Sequence, residues 1–293
     1  MSILNNIKSI TKYALDCFKP TPKVYPRISV LAQNELLKER VALITGGTSG
    51  IGFEIARSFI NAGAIVVITG RNQERIDKAI ELLRAEFKSD KVVFGFEMDI
   101  TTPACFKNKF IEALEKVSRP IDILVNNAGV NGCGFGNGKE QDYDLVLDTN
   151  LKGAFFLSQE VAHYMVNNKL QGNILNVASS SSLRPAISAY GLSKWGIVGL
   201  TQGLARILTE HGITVNAIAP GPTATPMQGL QKGDDISLPA NLTGRFALPE
   251  EIANMAVILV SNMSRMVVGD VVYMTGGSGN IYNGDISYSF EEK

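Results

Sequence analysis

The chain has 293 residues, 45% of them hydrophobic, and 28 Lys and Arg balance 28 Asp and Glu for a formal net charge of zero. That length and apolar content support a sizeable core, while the neutral balance leaves no whole-chain footprint for nucleic acid or anionic lipid. Cys17, Cys105 and Cys133, with only His163 and His211 beside them, are too few and too scattered for a disulfide framework or a zinc site, so separate reduced thiols in a cytoplasmic protein are expected.

Residues 1–39 open the chain with Ile3, Leu4, Ile7, Ile10, Ala14 and Phe18 at helical spacing, before KPTPKVYP (19–26) breaks the pattern with three prolines. An amphipathic helix and linker are expected, packed on this subunit or a neighbouring one. Lys8, Lys12 and Lys19 are few for a membrane surface, and the first arginine, Arg27, comes late for a mitochondrial presequence.

From Val41 the pattern alternates strand and helix. VALIT (41–45) leads to GIGFEIARSFINAG, AIVVITG (64–70) to QERIDKAIELLRAEF, and KVVFGFEMDI (91–100) to a helix around 103–117. IDILVNNAG (121–129) precedes a glycine-rich loop (129–139), read as the mouth of a site, and a helix around 141–168. GNILNVAS (172–179) is followed by a helix over about 188–211, ITVNAIAP (213–220), a helix begun by LPEEIA (248–253) and VVYMTGG (271–277). The apolar stretch IANMAVILV (252–260) falls far short of the roughly 18 residues of a membrane span. Strands apolar on both faces imply a parallel sheet covered by helices on each side. The predicted fold is therefore α/β: a doubly wound, Rossmann-type parallel sheet of about seven strands. It occupies one domain over residues 40–280, with a tail at 281–293.

Gly46, Gly50 and Gly52 stand between the first strand and first helix, where absent side chains let backbone approach a phosphate at a helix N-terminus. At the end of the second strand, where an acid would bind a free ribose 2′-hydroxyl, the chain reads VITGRNQ. Gly70 offers no carboxylate and Arg71 offers a cation for a 2′-phosphate, which favours NADP, with NAD as the alternative.

Tyr190 and Lys194 lie one helical turn apart in SAYGLSKWG (188–196). A phenol titrates near pH 10, and a neighbouring ammonium is expected to lower that value enough for acid–base work on a hydroxyl or carbonyl oxygen.

TGGTSGIG (45–52), NNAG (126–129), Asn150 in DTNLKGAFF, a serine cluster after the fifth strand, YGLSK (190–194) and APGPTATPM (219–227) follow in order. With these motifs the sequence resembles the short-chain dehydrogenase/reductase family over roughly residues 38–277. The resemblance implies that Tyr190 is the acid–base, that Lys194 lowers its pKa and holds the nicotinamide ribose, that Asn150 positions a water, and that Ser179 meets the substrate oxygen, with Ser180 as the alternative. It also implies cofactor contacts from Thr48, Ser49 and Ile51 in the glycine turn, Arg71 and Asn72, Asp99 and Ile100, Asn127, Ala128 and Gly129, and Pro220, Gly221, Thr223 and Thr225. A homotetramer or homodimer and no metal are further implications. Arg184, in the loop before Tyr190, is a candidate for binding an acidic substrate group.

The expected activity is NADP-dependent hydride transfer to or from a small sugar, polyol, 3-oxoacyl compound or ketone. A dinucleotide-binding redox sensor or scaffold without turnover is the alternative of a different class.

Overall fold

The computed structural model describes residues 35–278 apart from Lys232. The amphipathic helix and prolines expected ahead of this part, and the tail at 281–293, lie outside the described residues. In chain order the elements are β1 (Val41–Thr45), α1 (Gly50–Asn61), β2 (Ile65–Gly70), α2 (Gln73–Phe87), β3 (Val93–Glu97), α3 (Phe106–Val117) and β4 (Ile123–Asn126). They continue with α4 (Glu140–Leu147), α5 (Gly153–Asn167), β5 (Gly172–Val177), α6 (Ala189–Leu208), β6 (Ile213–Pro220), α7 (Pro249–Val260) and β7 (Val271–Met274).

The seven strands form one sheet in the order β3-β2-β1-β4-β5-β6-β7, and every pairing is parallel. Period-two alternation sorts each strand's side chains between two cores. Ala42 and Ile44 pack with Ile55 and Phe59 of α1, Ile76 and Leu83 of α2, and Ile252 and Val257 of α7. Val41 and Leu43 face the other way, against Phe106 and Phe110 of α3, Leu157 and Val161 of α5, and Leu208 of α6. Burial on both faces is why these strands carry no polar alternation.

Three boundaries differ from the sequence reading. The helix expected over 141–168 is divided by a π-helical segment, Asp148–Lys152, between α4 and α5. The helix expected from residue 103 begins with a separate 3₁₀ turn, Pro103–Cys105. The last strand stops at Met274, because Gly276 and Gly277 turn the backbone to φ of +60° and +86°.

β1 is the point from which the chain runs to β2 on one side and β4 on the other. Outside the carboxyl ends of strands at such a reversal an open α/β sheet leaves a crevice.

Candidate active site

A cleft of about 900 Å³ fills that crevice. One wall is the turn from β1 into α1. Gly46 has a φ of +66°, and a Cβ on Gly52 would stand 2.3 Å from the Gly46 carbonyl oxygen, so neither position accepts a side chain. The Ser49 side chain makes no cap bond at the start of α1, which leaves the first-turn N–H groups without a side-chain acceptor. Asn127 joins this turn to the end of β4. Its Nδ2 donates to the carbonyls of Thr45 (2.9 Å) and Gly46 (3.1 Å), and Thr45 Oγ1 accepts from the N–H groups of Asn127 and Ala128, both at 3.0 Å.

Of the site residues expected from sequence, all but Asp99 and Asn150 line this cleft. Asp99 is exposed, and its Oδ1 accepts from the Thr101 N–H at 2.9 Å and hydroxyl at 2.8 Å, which closes the turn after β3. Met98 and Ile100 form the wall on either side of it. Arg71 and Asn72 lie at the cleft edge beyond β2, joined by Arg75, which the sequence reading missed. Asn72 caps α2 by accepting from the Arg75 N–H at 2.9 Å, so the helix start brings Arg75 to the cleft four residues after Arg71. The cap itself was legible in the sequence, since Asn is a favoured residue just before a helix start.

At the far end, Ser179 leaves β5 and α6 presents Tyr190 and Lys194. Ser188 caps α6, its Oγ accepting from Gly191 N–H at 3.1 Å. Lys194 is buried. Its Nζ donates to the Val177 carbonyl at 2.8 Å and stands 5.6 Å from the centroid of the Tyr190 ring.

Asn150 is buried behind the cleft, in the π-helical segment. Its Oδ1 accepts from Val130 N–H at 2.8 Å, and its Nδ2 donates to the Val130 carbonyl at 3.0 Å and Ser193 Oγ at 3.1 Å. A Cβ on Gly129 would fall 3.4 Å from Asn150 Oδ1 and 3.7 Å from Lys194 Nζ, so this glycine brings the two residues' surroundings together. The preceding Thr149, also missed from sequence, lines the cleft with a buried Oγ1 that has no hydrogen-bond partner.

The electrostatics of the pair differ from the sequence expectation. Burial is the largest influence on Tyr190 and raises its phenol above the usual value, while a hydrogen bond with Ser179 pulls the other way. Burial also pushes Lys194 down from 10.5 to about 8. Both shifts have one origin, since a desolvated site disfavours phenolate and ammonium alike. The amine lies over the ring and bonds to a backbone carbonyl, so in the protein alone it does not offset the phenol's burial.

Arg184 lines the same end of the cleft, its Nη2 donating to the Ser278 carbonyl at 3.0 Å. Among the described residues it forms no ion pair.

Comparison with known proteins adds an independent finding. Residues 40–235 match the family described as short chain dehydrogenase. The BbsD subunit of a hydroxy(phenyl)methylsuccinyl-CoA dehydrogenase from Thauera aromatica is 38% identical over 245 residues, covering 82% of this chain and 97% of that protein. The 3-oxoacyl-acyl-carrier-protein reductase FabG of Thermotoga maritima is 35% identical over 246 residues, covering 82% of this chain and 98% of that protein. Among solved structures, a variant actinorhodin polyketide ketoreductase with NADPH superposes with a TM-score of 0.75 at 30% identity, covering 82% of this chain and 97% of that one.

Proposed function

The chain belongs to the short-chain dehydrogenase family, NAD(P)-dependent oxidoreductases of hydroxyl and carbonyl carbons, and from that premise we propose that it uses NADP, with Tyr190 as its acid–base. The observation that carries the reading is the convergence of Ser179, Tyr190 and Lys194 at one end of a cleft whose other end is the glycine turn. The cradle fits a dinucleotide: Gly46 and Gly52 keep the turn clear of side chains, and the unpartnered Thr149 Oγ1 supplies a buried polar atom on the cleft wall.

Gly46, Thr48, Ser49, Gly50, Ile51 and Gly52 would hold the pyrophosphate, with Arg71, Asn72 and Arg75 around the 2′-phosphate and Asp99 and Ile100 near adenine. Asn127, Ala128 and Gly129 would flank the middle of the cofactor, and Pro220, Gly221, Thr223 and Thr225 its nicotinamide end. When bound, the nicotinamide supplies or accepts hydride, and its oxidised ring brings positive charge to the site.

The chain's own residues manage the oxygen and its proton. Ser179 steadies the substrate oxygen by hydrogen bonding as charge develops on it. Tyr190, held in its neutral phenol form by burial, donates a proton to that oxygen during carbonyl reduction. The Lys194 ammonium, 5.6 Å from the ring centroid, then stabilises the phenolate left behind. Asn150, its side chain held by Val130 and Ser193, would position the water that returns the proton, as the family resemblance implies.

The names of the relatives favour 3-oxoacyl thioesters as first probes, ahead of sugars, polyols and simple ketones. The cleft rim offers Met227, 50% exposed, for an apolar chain, and Arg184 for an acidic group. A cytoplasmic homodimer or homotetramer completes the reading. The half-exposed Leu145, Phe155 and Phe156 of α4 and α5, with Leu192 and Trp195 of α6, support self-association.

The test follows NADPH absorbance with acetoacetyl-CoA, gluconate oxidation products and small ketones. Wild-type protein is expected to consume NADPH with one of these, and Tyr190→Phe to abolish turnover while retaining NADPH binding by fluorescence titration. Full activity in Tyr190→Phe refutes the assigned role.

A further inference from the structure

Ser182 is fully buried two residues into the 3₁₀ turn, Ser180–Leu183, that follows Ser179. Its hydroxyl donates to the Ser179 carbonyl at 2.7 Å, and its N–H donates to the same oxygen at 3.0 Å. The Ser182 Oγ also stands 3.3 Å from the hydroxyl of Tyr273, in β7. Proton counting fixes the direction of that second bond. A carbonyl only accepts, so the single serine proton is spent on Ser179, and the Tyr273 hydroxyl must donate to Ser182. The result is a one-way chain from Tyr273 through Ser182 to the Ser179 carbonyl, each bond polarising the next.

We propose that Tyr273 and Ser182 are positioning residues that fix the peptide plane of Ser179 and so aim its hydroxyl at the substrate oxygen. The inference rests on the reading of Ser179 given above. Its need is visible in the turn itself. Ser179 Oγ accepts from the Ser181 N–H at 3.1 Å and lies 3.2 Å from Ser181 Oγ, so the side chain has a competing partner within its own turn. With its carbonyl held by two bonds from Ser182, Ser179 keeps one backbone orientation, so a substrate oxygen has only the 3.2 Å contact with Ser181 Oγ to displace in order to receive its hydroxyl.

The same turn is tied down on both sides. Trp195 Nε1 of α6 donates to the Arg184 carbonyl at 2.9 Å, and Arg184 Nη2 donates to the Ser278 carbonyl just past β7. β7 pairs with β6 through Ala219 and Tyr273, so the brace is anchored in the sheet and does not depend on a loop.

Tyr273→Phe removes one hydroxyl and keeps a ring that is only half-buried, so the fold is expected to survive. Two measurements follow. Amide hydrogen exchange over residues 179–184 is expected to quicken in Tyr273→Phe while the rest of the sheet is unchanged. With NADPH and acetoacetyl-CoA, kcat is expected to fall about five- to tenfold, the worth of one hydrogen bond, with KM for NADPH unchanged. In a Ser179→Ala background the same substitution is expected to cost nothing more, because the group being aimed is gone.

Unchanged exchange, an unchanged kcat, or an equal loss in both backgrounds overturns the proposal. If wild-type protein turns over none of the carbonyl probes, the substrate reading fails, and the exchange measurement still decides the brace.

Discussion

Lys194 is only 4% exposed, and burial lowers its ammonium from 10.5 to about 8. Below pH 8 the folded and unfolded chains both carry this proton, and the fold bears the whole cost of desolvating it, on the order of 3 kcal/mol. Between about pH 8 and 10.5 the unfolded chain binds more protons at this site, so the cost is relieved as pH rises. Comparing Lys194→Met with wild type by denaturant unfolding is expected to show little change below about pH 8 and wild type gaining ground steadily from about pH 8 to 10.5. A flat difference contradicts the shift. On the proposed mechanism activity has the opposite trend, since the protonated amine would be the useful form: the rate of carbonyl reduction is expected to decline above about pH 8, as read from the pH profile of kcat.

The pairing of Tyr190 with Lys194 was legible because helix spacing is a sequence property. Its electrostatics were not, because burial is set by how β5 and α6 pack.

Among the elements, α7 shows how a start signal written in sequence becomes stability. Pro249 takes the first helical position, and Glu251 Oε2 accepts from the Leu248 N–H at 2.8 Å. The Arg245 guanidinium grips the same carboxylate at 2.8 and 2.7 Å, and that pairing holds Glu251 down to about 2. The folded value lies below the usual 4.5, so this contribution is present above pH 4.5 and is lost as pH falls towards 2. With the Glu251 side chain 39% exposed, solvent trims it to about 1 kcal/mol. Glu251→Ala is expected to lower stability by that amount at neutral pH and by almost nothing near pH 2, measured by denaturant titration.

The strands were legible for a simple reason: VALIT is buried at every position, so its apolar run survives with no period to misread. The π-helical segment was not. Asp148–Lys152 widens one turn without any proline or glycine between α4 and α5 to announce it, and the periodicity on either side resembles one long helix. Arg75 escaped notice because the side of α2 that borders the cleft is set by how its Ile76, Ala79 and Leu83 stripe packs on the sheet.

For the whole molecule, the proposed dinucleotide binding would couple to folding, because the cleft walls come from β1, β2, β5, β6 and the segment just after β4 together. A ligand at a hundred times its Kd stabilises the native state by about 2.7 kcal/mol. In a chain of this size that corresponds to a rise in Tm of roughly 4–5 °C. NADPH is expected to produce such a rise in thermal unfolding and NADH a smaller one. Arg71→Ala is expected to erase most of the gap between them, through lost contact with the 2′-phosphate. An equal response to both nucleotides at equal concentration in wild type refutes the NADP preference, and a larger response to NADH assigns the site to NAD.

The strand order also bears on how the molecule comes into being. After β1, the chain lays β2 and β3 outward on one side, then crosses once and adds β4, β5, β6 and β7 singly on the other. Each later strand therefore leaves the ribosome to meet an edge already in place, and growth by accretion spares a nascent chain the search for distant partners. The half that carries the glycine turn is complete early in translation, while the seventh strand arrives last. A polypeptide stalled before that point carries an open, hydrogen-bonding edge on β6, which marks it for capture by chaperones or by another strand.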